Sequence, residues 1–285
     1  MTQKILHIDF ETRSRADLFR GGAYRYATDP STEIICMAYA FDDGPVELWH
    51  PGLPFPDDVK KFIQAGAPRS LHAHNAQFER LITEHVLGTP TPIDTWNCTA
   101  AQARARALPG GLDDLGRCLG LPTQKDRRGK ELIRLLSIPH TNKAGDSVFN
   151  YDEDLLKEMY AYCVTDVEVE RLAAKASHPL GDNEYAVWLA NEQVNDAGLK
   201  VDVEFAEAAA AYAEQELDEI SGKLSRITNG VIPAPKQFAR LKAYVEPLAL
   251  KDEDIRKAIT REVTDRRTGE TTTKTTLDRE ARNKL

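Results

Sequence analysis

The sequence predicts an α/β protein, a mixed sheet with helices on its faces, followed by an all-helical segment. Strand-like runs come first as a hairpin and then alternate with amphipathic stretches, the order expected of a sheet that is partly antiparallel and partly parallel. Composition shifts after Ser177-His178-Pro179-Leu180-Gly181-Asp182, beyond which alanine and glutamate abound and no strand pattern is convincing. A length of 285 residues holds one full domain and part of a second. The expected division is residues 1–180 and 181–285.

The elements follow in order. An apolar run at 4–11 reads as the first strand. Strands at 33–41 and 46–49 flank Asp42-Asp43-Gly44, a hairpin turn. A helix is expected at 57–65, a short strand at 69–73, a turn at His74-Asn75 and a helix at 77–87, with Asn75 a suitable N-cap. A strand at 91–95 and helices at 97–107 and 112–119 come next. The stretch 152–176 reads as one long amphipathic helix opened by Asp152, Glu153 and Asp154, where capping oxygens and negative charge are favoured. Beyond it, helices are expected at 183–196, 203–227, 235–245 and 252–262. The polar, Thr-rich end from 264 to 276 is either an exposed hairpin or disordered.

Acidic residues carry the chemistry. Asp9 and Glu11 lie two apart on the first strand, so both carboxylates face one way while Leu6, Ile8 and Phe10 face the other. Like charges side by side on a strand repel unless something positive lies between them. Carboxylate oxygens suit a hard divalent cation, Mg²⁺ or Mn²⁺; a solvated strand end accommodates the same pair. Asp166 falls within the apolar stripe of the long helix (Leu155, Met159, Tyr162, Val169, Leu172), where a lone carboxylate is costly to bury. Tyr162 lies one turn before it on the same face. Glu79, in the first turn of the 77–87 helix, is either a capping charge or a fourth carboxylate of the same site.

With these residues in place, the chain resembles the DEDD superfamily of 3′–5′ exonucleases. His7-Ile8-Asp9-Phe10-Glu11-Thr12 is similar to its Asp-x-Glu motif, and His74-Asn75-Ala76-Gln77-Phe78-Glu79 to its second motif. Tyr162-Cys163-Val164-Thr165-Asp166 is similar to its third, in the Tyr-x-x-x-Asp form of family A polymerase proofreading domains. The likeness is nearest to phage-type, DNA polymerase I-like enzymes and extends over about the first two hundred residues. It includes Gly22-Ala23-Tyr24-Arg25-Tyr26, Gln124-Lys125-Asp126 with Gly129-Lys130, and Val194-Asn195-Asp196-Ala197-Gly198-Leu199-Lys200-Val201-Asp202, which resembles the entry to a polymerase thumb. Most relatives carry Asp where this chain has Glu79, a side chain longer by one bond of about 1.5 Å.

The resemblance implies a ribonuclease H-like mixed five-stranded sheet and a two-metal 3′–5′ exonuclease acting on DNA. It implies Asp9, Glu11, Glu79 and Asp166 as ligands of two Mg²⁺ or Mn²⁺ ions, with Tyr162 orienting the attacking water. Phe10, Thr12, Asn75 and Phe78 become candidates to contact the terminal nucleotide, core packing being the alternative for Phe10 and Phe78. The implied partners are a DNA 3′ end, single-stranded or frayed, and a polymerase domain on the same or a separate chain. Two rival readings share the motifs: an RNA 3′-trimming enzyme of the ribonuclease D type, and a catalytically decayed module that binds DNA or a polymerase.

A net charge of −8 argues against clamping nucleic acid by overall charge. Two basic stretches, Arg13, Arg15, Arg20 and Arg25, then Lys125, Arg127, Arg128, Lys130 and Arg134, are either phosphate contacts or solvated faces. Cys36, Cys98, Cys118 and Cys163 have the spacing of neither a zinc site nor a disulfide framework, which indicates a reducing, cytosolic compartment; the resemblance implies that of a bacterial or phage-infected cell. His72, His74 and His85 do not have the pattern of a zinc site. No run is apolar and long enough to span a membrane.

Overall fold

The computed structural model describes residues 3–121, 128–142, 144–264 and 271–276. They form two compact units, Met1–Gly198 and Leu199–Leu285.

The first unit is built on five strands: β1 (Leu6–Arg13), β2 (Glu33–Phe41), β3 (Glu47–Trp49), β4 (Leu71–Ala73) and β5 (Trp96–Cys98). Their order across the sheet is β3-β2-β1-β4-β5. The first three strands are antiparallel and β4 and β5 run parallel to β1, which is the ribonuclease H-like arrangement expected. Among the described residues, eight α-helices accompany them: α1 (Leu18–Thr28), α2 (Asp57–Ala65), α3 (Gln77–His85), α4 (Thr99–Arg104), α5 (Leu112–Cys118), α6 (Gly129–Leu136), α7 (Glu153–Ser177) and α8 (Asp182–Ala197). Two short strands, β6 (His140–Thr141) and β7 (Ser147–Val148), pair with each other.

Alternation sorts β1 between two cores. Leu6, Ile8 and Phe10 join Met37, Tyr39, Val59, Ile63, Leu81, Ile82 and Trp96 on one face. On the other, Cys36, Ala38 and Ala40 of β2 pack with Met159, Tyr162 and Cys163 of α7 and with Leu132 and Leu136 of α6. Small side chains on β2 let α7 lie close to the sheet, and each large apolar side chain so buried contributes roughly 1.5–3 kcal/mol. The Asp152 carboxylate caps α7 by accepting from the amides of Asp154 and Leu155, each at 3.0 Å.

Several expectations shift. The strand expected at 91–95 begins at Trp96, because Ile93–Thr95 forms a 3₁₀ turn after Pro92. Helix α1 has no clear helical pattern in the sequence, since its periodicity breaks at Gly22, where φ is +74°. Helix α6 occupies part of the second basic stretch. Asn75 does not cap α3: the cap position is Ala76, and Asn75 takes a left-handed φ of 69° in the turn before it.

The boundary expected after residue 180 falls after Gly198 instead. Helix α8 stays with the sheet because the Tyr185 hydroxyl, on a buried side chain, donates to the carbonyls of Asp94 and Trp96, and Asp196 pairs with the buried guanidinium of Arg80 at 2.5 Å.

The second unit holds α9 (Val203–Ile227), α10 (Phe238–Ala249) and α11 (Glu253–Ile259), then a hairpin of β8 (Thr260–Thr264) and β9 (Thr271–Thr275). The Thr-rich end is thus a hairpin where described, and it takes over from the helix expected to reach residue 262. Ala249, Ala258 and Ile259 form its small core. Among the described residues no helix is long and apolar enough to cross a membrane.

Candidate active site

Asp9 and Glu11 project from β1 toward α7, which presents Asp166. Each of the three offers a carboxylate oxygen within 4.8 Å of the others, and Asp166 is only 3% exposed. The strand is irregular at this point. Glu11 pairs with Cys36 but Thr12 with Ile34, so a bulge interrupts the ladder beside the acids. Bulges increase local twist and re-aim side chains, and here Phe10, Glu11 and Thr12 all line one cleft.

That cleft, about 250 Å³, is completed by Leu18, Tyr26, Asn75, Phe78, Glu79, Ile133 and Ser137. All four expected nucleotide-contacting residues therefore border it. Phe10 and Phe78 also pack into the core, with the Phe78 ring 5.8 Å from that of Tyr26, so the packing and contact readings of these residues are compatible. The Thr12 hydroxyl is within hydrogen-bonding distance of the Tyr26 hydroxyl, 2.9 Å away.

Glu79 is buried, and its Oε2 has no hydrogen-bond partner among the described residues. Burial, and then the negative charge of Asp9, push its carboxyl well above the usual carboxylate range. It sits in the first turn of α3, whose cap residue, Ala76, has no side chain to cap with. An unsatisfied, charge-crowded carboxyl at the wall of an acidic cleft is what a cation's oxygen ligands look like without the cation. The residues present therefore fit a hard divalent ion.

Behind the acids lies a second cluster that the sequence did not reveal. His7 Nδ1 and Glu170 Oε2 are 2.6 Å apart, both buried. Burial alone would raise the Glu170 carboxyl, but His7 and the Thr99 hydroxyl outweigh it and hold it at about 2. His72 packs edge-on to His7 and receives the Asn97 amide on Nε2, while burial keeps it neutral with a pKa near 4. The pattern was there to be seen. His7 is two residues before Asp9 on one strand face, and Glu170 is one helical turn after Asp166, so the pair forms a rung beside the acids. His72 thus meets His7 and Glu170, and His74 Nε2 instead faces the Gly110 carbonyl at 3.0 Å.

Cys163 is a further residue missed from sequence. Its thiol lies 3.6 Å from both the backbone and carboxylate oxygens of Asp9. Burial raises its pKa, so it remains a thiol and a weak donor to that carboxylate. Of the basic stretches, Lys125 and Arg127 lie outside the described residues. Arg128 pairs with Glu131 and Glu158, and Arg13 with Glu33.

The sheet order, with a strand-borne Asp-x-Glu facing a helix-borne Asp, defines a ribonuclease H-like protein. Over 258 residues, 87% of this chain, the sequence is 35% identical to the DNA polymerase of Bacillus phage SP02. The chain spans about 39% of that polymerase's length. It is thus similar to one part of a phage DNA polymerase. No family model matches the chain. Among solved structures, Brucella melitensis NrnC aligns over 66% of this chain and 80% of its own, at 18% identity and a TM-score of 0.38. The POL domain of Pol1 from M. smegmatis, in complex with DNA primer-template and dNTP, aligns over 99% and 54% at 11% identity and a TM-score of 0.36.

Proposed function

We propose that this chain is a metal-dependent 3′–5′ exonuclease that removes nucleotides from DNA ends, of the proofreading type. The observation that carries the reading is the convergence of Asp9, Glu11 and Asp166 within 4.8 Å, with Glu11 also lining the cleft that holds Glu79. Asp9, Glu11 and Asp166 would hold one Mg²⁺ or Mn²⁺ ion, and Asp9 with Glu79 would hold a second. Two such ions make a bound water more acidic and stabilise both attacking and leaving oxygens of an in-line displacement.

The chain's own residues supply the rest. Tyr162 orients the attacking water through its hydroxyl. Phe10 and Phe78 give the terminal base an aromatic surface that is indifferent to sequence, with Thr12 and Asn75 at the rim. Cys163 holds the Asp9 carboxylate in place. The relation to a phage polymerase favours DNA over RNA as substrate and makes a polymerase domain the natural partner.

Hydrolysis of single-stranded DNA should require a divalent ion and collapse in Asp9→Ala and in Asp166→Ala, each with an unchanged circular dichroism spectrum. Full activity in either variant, purified free of contaminating nuclease, would overturn the two-metal assignment.

A further inference from the structure

Helix α6 begins with a glycine pressed onto the Tyr162 ring. Gly129 is buried. A Cβ built on it would run into Cε2 and Cζ of the Tyr162 ring and lie 2.7 Å from its hydroxyl oxygen, inside the contact distance that real side chains keep. The ring has no room to withdraw. It is 3% exposed and belongs to a cluster with Met159 and Cys163 from its own helix and Leu132 and Leu136 from α6. The backbone of α6 thus forms one wall of the slot that holds the phenol, and only a residue without a side chain leaves the slot wide enough. The same helix and its C-cap residue send Ile133 and Ser137 into the cleft, so it both lines the substrate cleft and braces the tyrosine.

We propose that Gly129 is a positioning residue for the Tyr162 hydroxyl, a role that rests on the function given to Tyr162 above. Its Cα fixes where the phenol oxygen stands relative to Asp166, one turn further along α7. Displacing a reacting group by about 1 Å can cost on the order of 10²-fold in rate, and a methyl group at position 129 demands a shift of that size.

A mutant cycle tests this: the parent, Gly129→Ala, Tyr162→Ala and the double variant are compared on single-stranded DNA with Mn²⁺, with Mn²⁺ affinity from calorimetry. Gly129→Ala should lower kcat at least about tenfold, with KM and Mn²⁺ affinity nearly unchanged. In the Tyr162→Ala background, where the ring is gone, the same substitution should cost less than about twofold. An unchanged kcat in Gly129→Ala, an equal loss in both backgrounds, or a loss confined to KM would overturn the proposal.

If Gly129→Ala folds too poorly to assay, stability decides. The double variant should melt at or above Tyr162→Ala, because the methyl group then fills vacated space, and a lower melting point rejects the contact. Should Tyr162→Ala itself cut as fast as the parent, the role assigned to Tyr162 fails. The melting comparison then still reports whether Gly129 sets the ring's place.

Discussion

Replacing His7 by alanine should destabilise the first unit by about 3 kcal/mol, although His7 touches no proposed substrate atom. The magnitude follows from the buried pair. The Glu170 carboxyl falls from an ordinary 4.5 to about 2 in the fold, and each pH unit corresponds to roughly 1.4 kcal/mol. His7 is also a hydrogen-bond partner of that buried carboxylate, and leaving a buried charged group without its partner costs roughly 1–3 kcal/mol or more. At roughly 2–4 °C per kcal/mol for a unit of this size, the melting temperature should drop by about 6–12 °C. All three tryptophans, Trp49, Trp96 and Trp188, lie in the first unit, so fluorescence reports its unfolding alone. Because the folded carboxyl is depressed, the stability it contributes is complete above its ordinary pKa near 4.5 and is lost as the pH falls toward 2. The gap between parent and His7→Ala should therefore close on acidification through that window. A shift under about 2 °C at pH 7, less than a single kcal/mol implies, or a gap independent of pH, would refute the reasoning.

Three further outcomes are expected. Glu79→Gln should raise the stability of the metal-free protein above pH 4.5, since a carboxyl whose folded pKa is raised weighs on the fold only once it would otherwise ionise. Denaturant titration across pH 4–8 checks this, while nuclease assays should find Glu79→Asp active and Glu79→Ala largely inactive. Tyr162→Phe should slow hydrolysis, by on the order of 10²–10⁴-fold if the hydroxyl acts in proton transfer, and leave Mn²⁺ affinity nearly intact; lost metal binding would make the phenol structural. A chain ending at Gly198 should fold and cut single strands, whereas one ending at Leu180 should be markedly less stable, because it exposes Arg80 and loses the Tyr185 and Asp196 contacts; equal melting of the two would contradict the packing of α8.

Residue by residue, what was legible in the sequence divides by range. Strict alternation over Leu6–Phe10 and a capped apolar stripe from Leu155 to Val169 made β1 and α7 plain, and with them the facing of Asp9 and Glu11 toward Asp166. Local punctuation misled elsewhere: Gly22 broke the pattern of α1, Pro90 and Pro92 delayed β5, and Asn75 took a left-handed turn position rather than a cap. Contacts between distant segments were invisible by nature. Nothing local to Cys163 or Gly129 announces that they meet Asp9 and Tyr162 across the fold. Likewise α8 reads as the start of the helical segment until Tyr185 and Asp196 are seen bonded back to the sheet unit.

The central claim is direction and chemistry together, and one digestion tests both. A 5′-end-labelled single-stranded DNA, with its 3′ hydroxyl either free or blocked by an inverted nucleotide, is incubated with the protein in Mg²⁺, Mn²⁺ or EDTA. The account predicts a ladder shortening one nucleotide at a time from the free 3′ end, protection of the blocked strand, silence in EDTA and silence in Asp166→Ala. Loss of the label as a mononucleotide, internal cuts in the blocked strand, or undiminished digestion in EDTA would contradict it.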